Sequence, residues 1–247
     1  MPLRVGFDLD GTVADMYFAL RREAAALFGE DILQKTPTTS EHPQVAEKIG
    51  KPEATPKSED DAAANPAMQE LNLTSRQQMQ LWEHVKKIDN FWTTLPELEP
   101  GIISRIATAA RERRWEVIFL TTRPASAGDL VQLQSQQWLE AHGFRYPSVY
   151  VVHRSRGKIA DALQLDAFVD DRPENCLDIA VESQAKVLLV WHGHPRDVPV
   201  GAKRLGVRAV RRISEAVTLL EQLDDVRSQP SLLRSIKRAF GRDRSEI

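Results

Sequence analysis

The sequence predicts an α/β fold built on a mainly parallel, Rossmann-like sheet with helices on both faces. Two observations carry this. Short apolar runs alternate with stretches of helical periodicity, the pattern of units whose strands run parallel and are covered on both sides. Two of those runs, Val5 to Phe7 and Ala167 to Val169, end in acidic clusters, Asp8/Asp10 and Asp170/Asp171. In open parallel sheets, ligands bind outside the carboxyl ends of the strands.

The first run sets the chemistry. Residues two apart on a strand point the same way, so Asp8 and Asp10 converge on one ligand. Gly11 permits a backbone conformation that other residues resist, which suits a sharp loop at a strand end. Carboxylates crowded at the end of a buried strand repel one another unless a proton or cation lies between them. A hard divalent ion with oxygen ligands answers that repulsion, Mg2+ most commonly. An ordinary Asp-Gly turn explains the first cluster by itself, but not a second strand-end acidic pair far along the chain.

The remaining elements follow in order. Ala14 to Phe28 reads as a helix with a partial apolar stripe (Phe18, Ala24, Ala25, Phe28) and Gly29 as its stop. Residues 34–66 are rich in Pro, Thr, Ser, Glu, Lys and Ala, with Val45 and Ile49 almost the only large apolar residues. They read as a poorly packed or disordered insertion, or as a flexible lid. Thr74 to Trp92 reads as a second helix, capped by Thr74 or Ser75, with Met79, Leu81, Trp82, Val85 and Ile88 on its apolar side. Prolines at 96 and 100 mark the return to the sheet. Then come a helix (102–114), a strand (116–120), a helix (127–142), a strand (149–152), a helix starting at Lys158, a strand at Phe168-Val169, a helix (173–184) and a strand (186–191). Val207 to Val210 reads as an edge strand and Ile213 to Leu223 as the last helix. The basic segment 231–244 has an apolar face that suits a terminal helix, an acidic surface or a partner.

Composition narrows the class. The chain has 247 residues, 42% hydrophobic and 28% charged, as globular chains have. A net charge of −2 gives no strong attraction for nucleic acid. A single cysteine, Cys176, excludes an intrachain disulfide and fits a reducing compartment. No stretch is apolar enough to span a membrane, and the amino terminus reads as a strand rather than a signal peptide, so the cytoplasm is the expected location. Cys176 reads as helix packing and His192-Gly193-His194 as surface histidines, since no further ligand group accompanies them.

Four motifs in this order resemble the haloacid dehalogenase (HAD) superfamily of phosphatases: Asp8-Leu9-Asp10-Gly11-Thr12, the strand Val117 to Leu120 ending in Thr121, Lys158 in Arg156-Gly157-Lys158, and Asp170-Asp171. The resemblance implies a core domain of residues 1–13 and 96–225, a mostly helical cap of residues 14–95 inserted after the first motif, and a basic tail of residues 226–247. It implies a Mg2+-dependent phosphomonoester hydrolase working through an aspartyl phosphate, with Asp8 as nucleophile and Asp10 as acid and base. Mg2+ would sit between Asp8, the backbone carbonyl of Asp10 and Asp170, with Asp171 holding a metal-bound water. Thr121 and Thr122 would face the phosphoryl group, and Lys158 would neutralise it. Arg123 would touch phosphate, touch a substrate group or brace the loop.

Further stretches, including Phe91-Trp92, Thr121-Thr122-Arg123-Pro124 and Val169 to Asn175, resemble the 5'(3')-deoxyribonucleotidase branch. That resemblance implies a nucleoside monophosphate substrate, with Phe18, Phe91 and Trp92 as candidates for packing on its base. The alternatives are a polynucleotide 3'-phosphatase, a generic small-metabolite phosphatase, and a non-catalytic binding protein on the same scaffold.

Overall fold

The computed structural model describes residues 2–29, 71 and 73–228. The expected insertion at 34–66 and the basic segment at 231–244 lie outside the described residues. Six strands form one wholly parallel sheet: β1 (Arg4–Asp8), β2 (Glu116–Thr121), β3 (Ser148–Val151), β4 (Ala167–Asp170), β5 (Lys186–Val190) and β6 (Arg208–Val210). Their spatial order is β3-β2-β1-β4-β5-β6, so β1 is central and the order reverses beside it. Crevices form at such a reversal. Phe7 of β1 pairs with Val169 of β4. One residue further along, the same register puts Asp8 beside Asp170, on strands about 4.8 Å apart.

The strand period of two divides the core. Val5, Phe7, Val117, Phe119, Ala167, Val169, Leu188 and Val190 belong to one apolar cluster. Their neighbours Leu120, Phe168, Val187 and Leu189 belong to the other, with Ile118 packed against it. The first face is covered by α1 (Met16–Phe28), α2 (Ser75–Val85), α3 (Ile102–Arg113), α4 (Val131–Ala141) and α8 (Ile213–Ser228). The second is covered by α5 (Arg156–Ala162), α6 (Pro173–Glu182) and α7 (Val200–Arg204). Helices α1 and α2, expected in a separate cap, bury Leu20, Ala24, Leu81, Trp82 and Val85 in the cluster that also holds Phe7 and Phe119. Among the described residues, no helix is long and apolar enough to cross a membrane.

Local chemistry sets the helix starts. The Asp15 side chain caps α1 by accepting from the Phe18 N–H at 2.8 Å. Thr74 and Gln77 form a reciprocal capping box at the start of α2, satisfying two otherwise orphaned donors. The second helix is shorter than the sequence predicts. It stops at Val85, and a 3-10 turn, Phe91–Thr93, follows Asn90 in the left-handed conformation. Helix α4 likewise begins at Val131 rather than 127, because residues 126–130 are tied elsewhere. Asn90 donates its N–H to the Ala127 carbonyl, and its side-chain oxygen accepts from the Asp129 N–H.

Candidate active site

Strands β1, β2 and β4 deliver Asp8, Thr121 and Asp170 to one end of the sheet. Asp8 is the last residue of β1, and Asp10 stands in the tight turn after it, where Gly11 has φ +83°. A side chain at Gly11 would also collide with the Asp171 carboxylate, 2.3 Å from where its Cβ would lie. The first loop and the second acidic pair therefore meet through that glycine. Oxygens of Asp8, Asp170 and Asp171 lie within 4.8 Å of one another. Burial pushes Asp8 up to about 7; Arg156 opposes this, while Asp170 and Asp10 add to it. Burial, then Asp8 and Asp170, push Asp171 well above the usual carboxylate range.

Arg156 is the cation of this cluster. Its Nη1 lies 2.5 Å from Asp8 Oδ1 and 2.5 Å from Asp170 Oδ2, and its side chain is buried. Burial opposes its charge, but Asp8 and Asp170 outweigh that and push its pKa above the ordinary value. The start of α5 is fixed by Asp178 of α6. Its carboxylate accepts from the Ser155 hydroxyl at 2.9 Å and from the Gly157 N–H at 2.8 Å. A Cβ on Gly157 would lie 2.4 Å from the Asp178 carbonyl, so only glycine lets the two helices approach this closely. Lys158, the cation expected here, lies on the exposed side of α5. Residues two apart on a helix do not share a face, so burying Arg156 turns Lys158 outward.

Asp170 is fully committed. Its Oδ1 accepts from the Arg172 N–H and the Asn175 amide, and its Oδ2 from Asn175 and Arg156. Asp171 accepts from the Thr12 hydroxyl at 3.2 Å, and Thr12 also approaches Asp8 at 3.5 Å. Three hard carboxylates with surplus negative charge fit a divalent cation, and Asp8 and Asp171 have the less committed oxygens. Asp170, the expected direct ligand, belongs to the group that could hold the cation, and its oxygens also accept four hydrogen bonds.

Asp10 faces the other side. Arg123 Nε donates to both of its oxygens at 2.9 Å, and Nη2 donates to Oδ1 at 2.7 Å. The Thr121 hydroxyl adds a bond to Asp10 Oδ2 at 3.2 Å. Arg123 is 1% exposed, so it braces Asp10 rather than opening to solvent as a phosphate ligand. The Asp10 carboxylate is thus engaged by Arg123 and stands outside the group that can hold a metal. Thr122 is exposed.

The three aromatic candidates divide. Phe91 and Trp92 are 0% exposed and pack edge to face, 5.0 Å between centroids. The Trp92 indole N–H donates to the Pro124 carbonyl at 3.0 Å. Both belong to the core, and neither offers a face to a nucleobase. Phe18, at 53%, is exposed on α1. His192, read as a surface residue, is exposed but reaches the first loop, its Nε2 3.4 Å from the Gly11 carbonyl. Thr12, Ser135 and Asn175 were given no role from sequence. Thr12 and Asn175 stand inside the motifs, and Ser135 carries no sequence signal at all.

The same fold occurs in solved structures of other proteins. A HAD family hydrolase from Deinococcus radiodurans R1, solved with bound phosphate and sodium, matches with a TM-score of 0.51 at 16% identity, over 90% of this chain and 96% of its own. A protein from Thermotoga maritima, provisionally assigned as a beta-phosphoglucomutase, matches with a TM-score of 0.50 at 17% identity, over 89% and 99%. A dehalogenase solved as an intermediate complex matches with a TM-score of 0.50 at 12% identity, over 88% and 96%. At these identities the likeness establishes the HAD-type fold. No family model matches the sequence, and no curated protein matches it.

Proposed function

We propose that the protein is a HAD-type phosphomonoester hydrolase acting through an aspartyl phosphate. The observation that carries this is the pair of differently partnered carboxylates at the end of β1. Asp8 is buried against Arg156, and Asp10 is held by Arg123 and Thr121. Two separately held carboxylates can divide nucleophilic and acid–base work; which does which is taken from the motif resemblance, and a cation held by Asp8 would favour its ionised, nucleophilic form. An oxygen of Asp8 attacks phosphorus, the bond to the leaving oxygen breaks, and Asp10 gives that oxygen its proton. Water then attacks the phosphorus of the aspartyl phosphate, Asp10 takes a proton from it, and Asp8 and inorganic phosphate are released. Arg156 offsets charge on Asp8 and on the phosphoryl group. Asp8 and Asp171 would hold Mg2+, which when bound supplies positive charge to the phosphoryl oxygens.

Nucleoside monophosphates are the substrate class we favour, on the motif resemblance and on Phe18, whose exposed ring can pack on a base. The test is phosphate release with Mg2+ from ribo- and deoxyribonucleoside 5'- and 3'-monophosphates, sugar phosphates and a 3'-phosphorylated oligonucleotide, with Asp8→Asn as blank. Turnover of the monophosphates that vanishes in Asp8→Asn supports the whole reading. Asp8-dependent turnover of sugar phosphates alone keeps the chemistry and discards the nucleotide. Equal rates in both proteins remove Asp8 as nucleophile.

A further inference from the structure

We infer that Arg123 is a positioning residue that fixes Asp10 for proton transfer, and that Trp92, Trp138 and Ser135 exist in this fold to fix Arg123. The inference rests on the assignment of Asp10 as acid and base. A carboxylate in a loop after a strand is free to rotate about two side-chain bonds, and a general acid acts only when its oxygen is aimed at the leaving group. Asp10 is not left free. Arg123 Nε and Nη2 both engage Asp10 Oδ1, at 2.9 and 2.7 Å, and Nε also reaches Oδ2 at 2.9 Å. The planar guanidinium thus dictates the plane of the carboxylate, which a lysine ammonium cannot do.

The arginine is itself held on every other side. Nη1 donates to the Ser135 hydroxyl of α4 at 3.0 Å. Its guanidinium carbon lies 5.0 Å from the ring centre of Trp92 and 5.9 Å from that of Trp138. Both indoles are anchored by their N–H groups, Trp92 to the Pro124 carbonyl and Trp138 to the Leu95 carbonyl at 2.7 Å. Ser135, Trp92 and Trp138 are fully buried. A buried cation is retained where its partners compensate its desolvation, and here the carboxylate that does so is the proposed acid. A phosphate ligand would need a donor turned to solvent, and Arg123 has its fork turned to Asp10 and Ser135.

The test separates positioning from bulk structure by the leaving group. A well-aimed acid matters for an alkyl phosphate, whose alkoxide leaves poorly, and little for p-nitrophenyl phosphate, whose phenolate needs no proton. Arg123→Lys keeps the charge and loses the fork. We expect single-turnover release of the leaving group to slow about tenfold or more for an alkyl phosphate and by less than about threefold for p-nitrophenyl phosphate, a step that excludes the later water attack in which Asp10 serves both esters as base. Asp10→Asn sets the full size of the split. Ser135→Ala, which removes one hydroxyl and preserves the ion pair, should show the same split at smaller size, and it decides the matter if Arg123→Lys does not fold. Equal losses on the two esters in the variant that folds, or a rise in KM alone, would overturn the positioning role. Wild-type protein without Asp8-dependent turnover would instead overturn the phosphatase reading itself.

Discussion

Replacing Asp8 by Asn should stop turnover and yet make the metal-free protein more stable. Burial lifts Asp8 from 3.8 to about 7, with Arg156 opposing and Asp170 and Asp10 adding. Between those values the folded chain holds a proton that the unfolded chain has released. Stability therefore falls as pH rises through this window and levels off above about 7. At about 1.4 kcal/mol per pH unit, the ionised Asp8 costs the fold on the order of 4 kcal/mol. The amide removes that cost but deprives Arg156 of a carboxylate 2.5 Å away, leaving it Asp170 at the same distance. The shift of Asp8 is already net of the attraction of Arg156, so we expect a net stabilisation of up to about 4 kcal/mol at pH 8, or roughly 8–16 °C in Tm. The assay is thermal denaturation by circular dichroism in chelator from pH 4.5 to 8.5. The gap between variant and wild type should narrow steadily toward acid, and added Mg2+ should raise the wild-type Tm more than the variant's. A variant that melts at or below the wild type at pH 8, or a gap independent of pH, would refute the claim that Asp8 carries uncompensated charge.

Arg156→Met leaves Asp8 and Asp170 buried without their cation. It should cost about 3–5 kcal/mol in denaturant unfolding and abolish turnover, whereas Lys158→Met should change stability by no more than about 0.5 kcal/mol. Trp92→Ala should cost about 3–5 kcal/mol as a core truncation and should slow a nucleotide and a small generic ester alike; a selective loss of nucleotide turnover would return Trp92 to the substrate site. Asp171→Asn should weaken Mg2+ binding, read by calorimetry, by about tenfold or more, while Asp170→Asn should act mainly by loosening Arg156 and so lower the Tm. The reverse ranking in calorimetry would make Asp170 the ligand.

The sheet was legible because most of its strands are apolar runs, and each of the six is found within a residue or two of its expected place. The strand order was not legible, since any right-handed β-α-β path satisfies the same periodicity. The motif resemblance points to Lys158, whereas the helical face points to Arg156. Arg156, Ile159, Ala160 and Leu163 fall at i, i+3, i+4 and i+7 along α5 and its C-cap, the spacing of a buried stripe. Lys158 shares its stripe with the exposed Asp161 and Ala162. The periodicity was sufficient to put Arg156 inside. The place of Trp92 is not legible for a different reason. An indole beside a turn looks the same in sequence whether its partner is a ligand or the Pro124 carbonyl, and only the tertiary contact separates the two.

The two faces of the sheet explain why the site needs two arginines. Asp8 and Asp170 follow the strand parity that points to the α5–α6 layer, and their cation, Arg156, comes from the start of α5. Thr121 has the parity of Val117 and Phe119, which point to the opposite layer. Asp10 is bound by Thr121 and by Arg123, which leans on Ser135 and Trp138 of α4. Each carboxylate is paired with its own arginine, Asp8 with Arg156 and Asp10 with Arg123. Each carboxylate is therefore oriented by its own helical layer, and the two can be perturbed separately. A substitution in the α4 layer should change how the leaving group is protonated, and one in the α5–α6 layer should change how the nucleophile and any metal are held. If Ser135→Ala and Asp178→Asn gave the same dependence on leaving group and the same change in Mg2+ affinity, that separation would not exist.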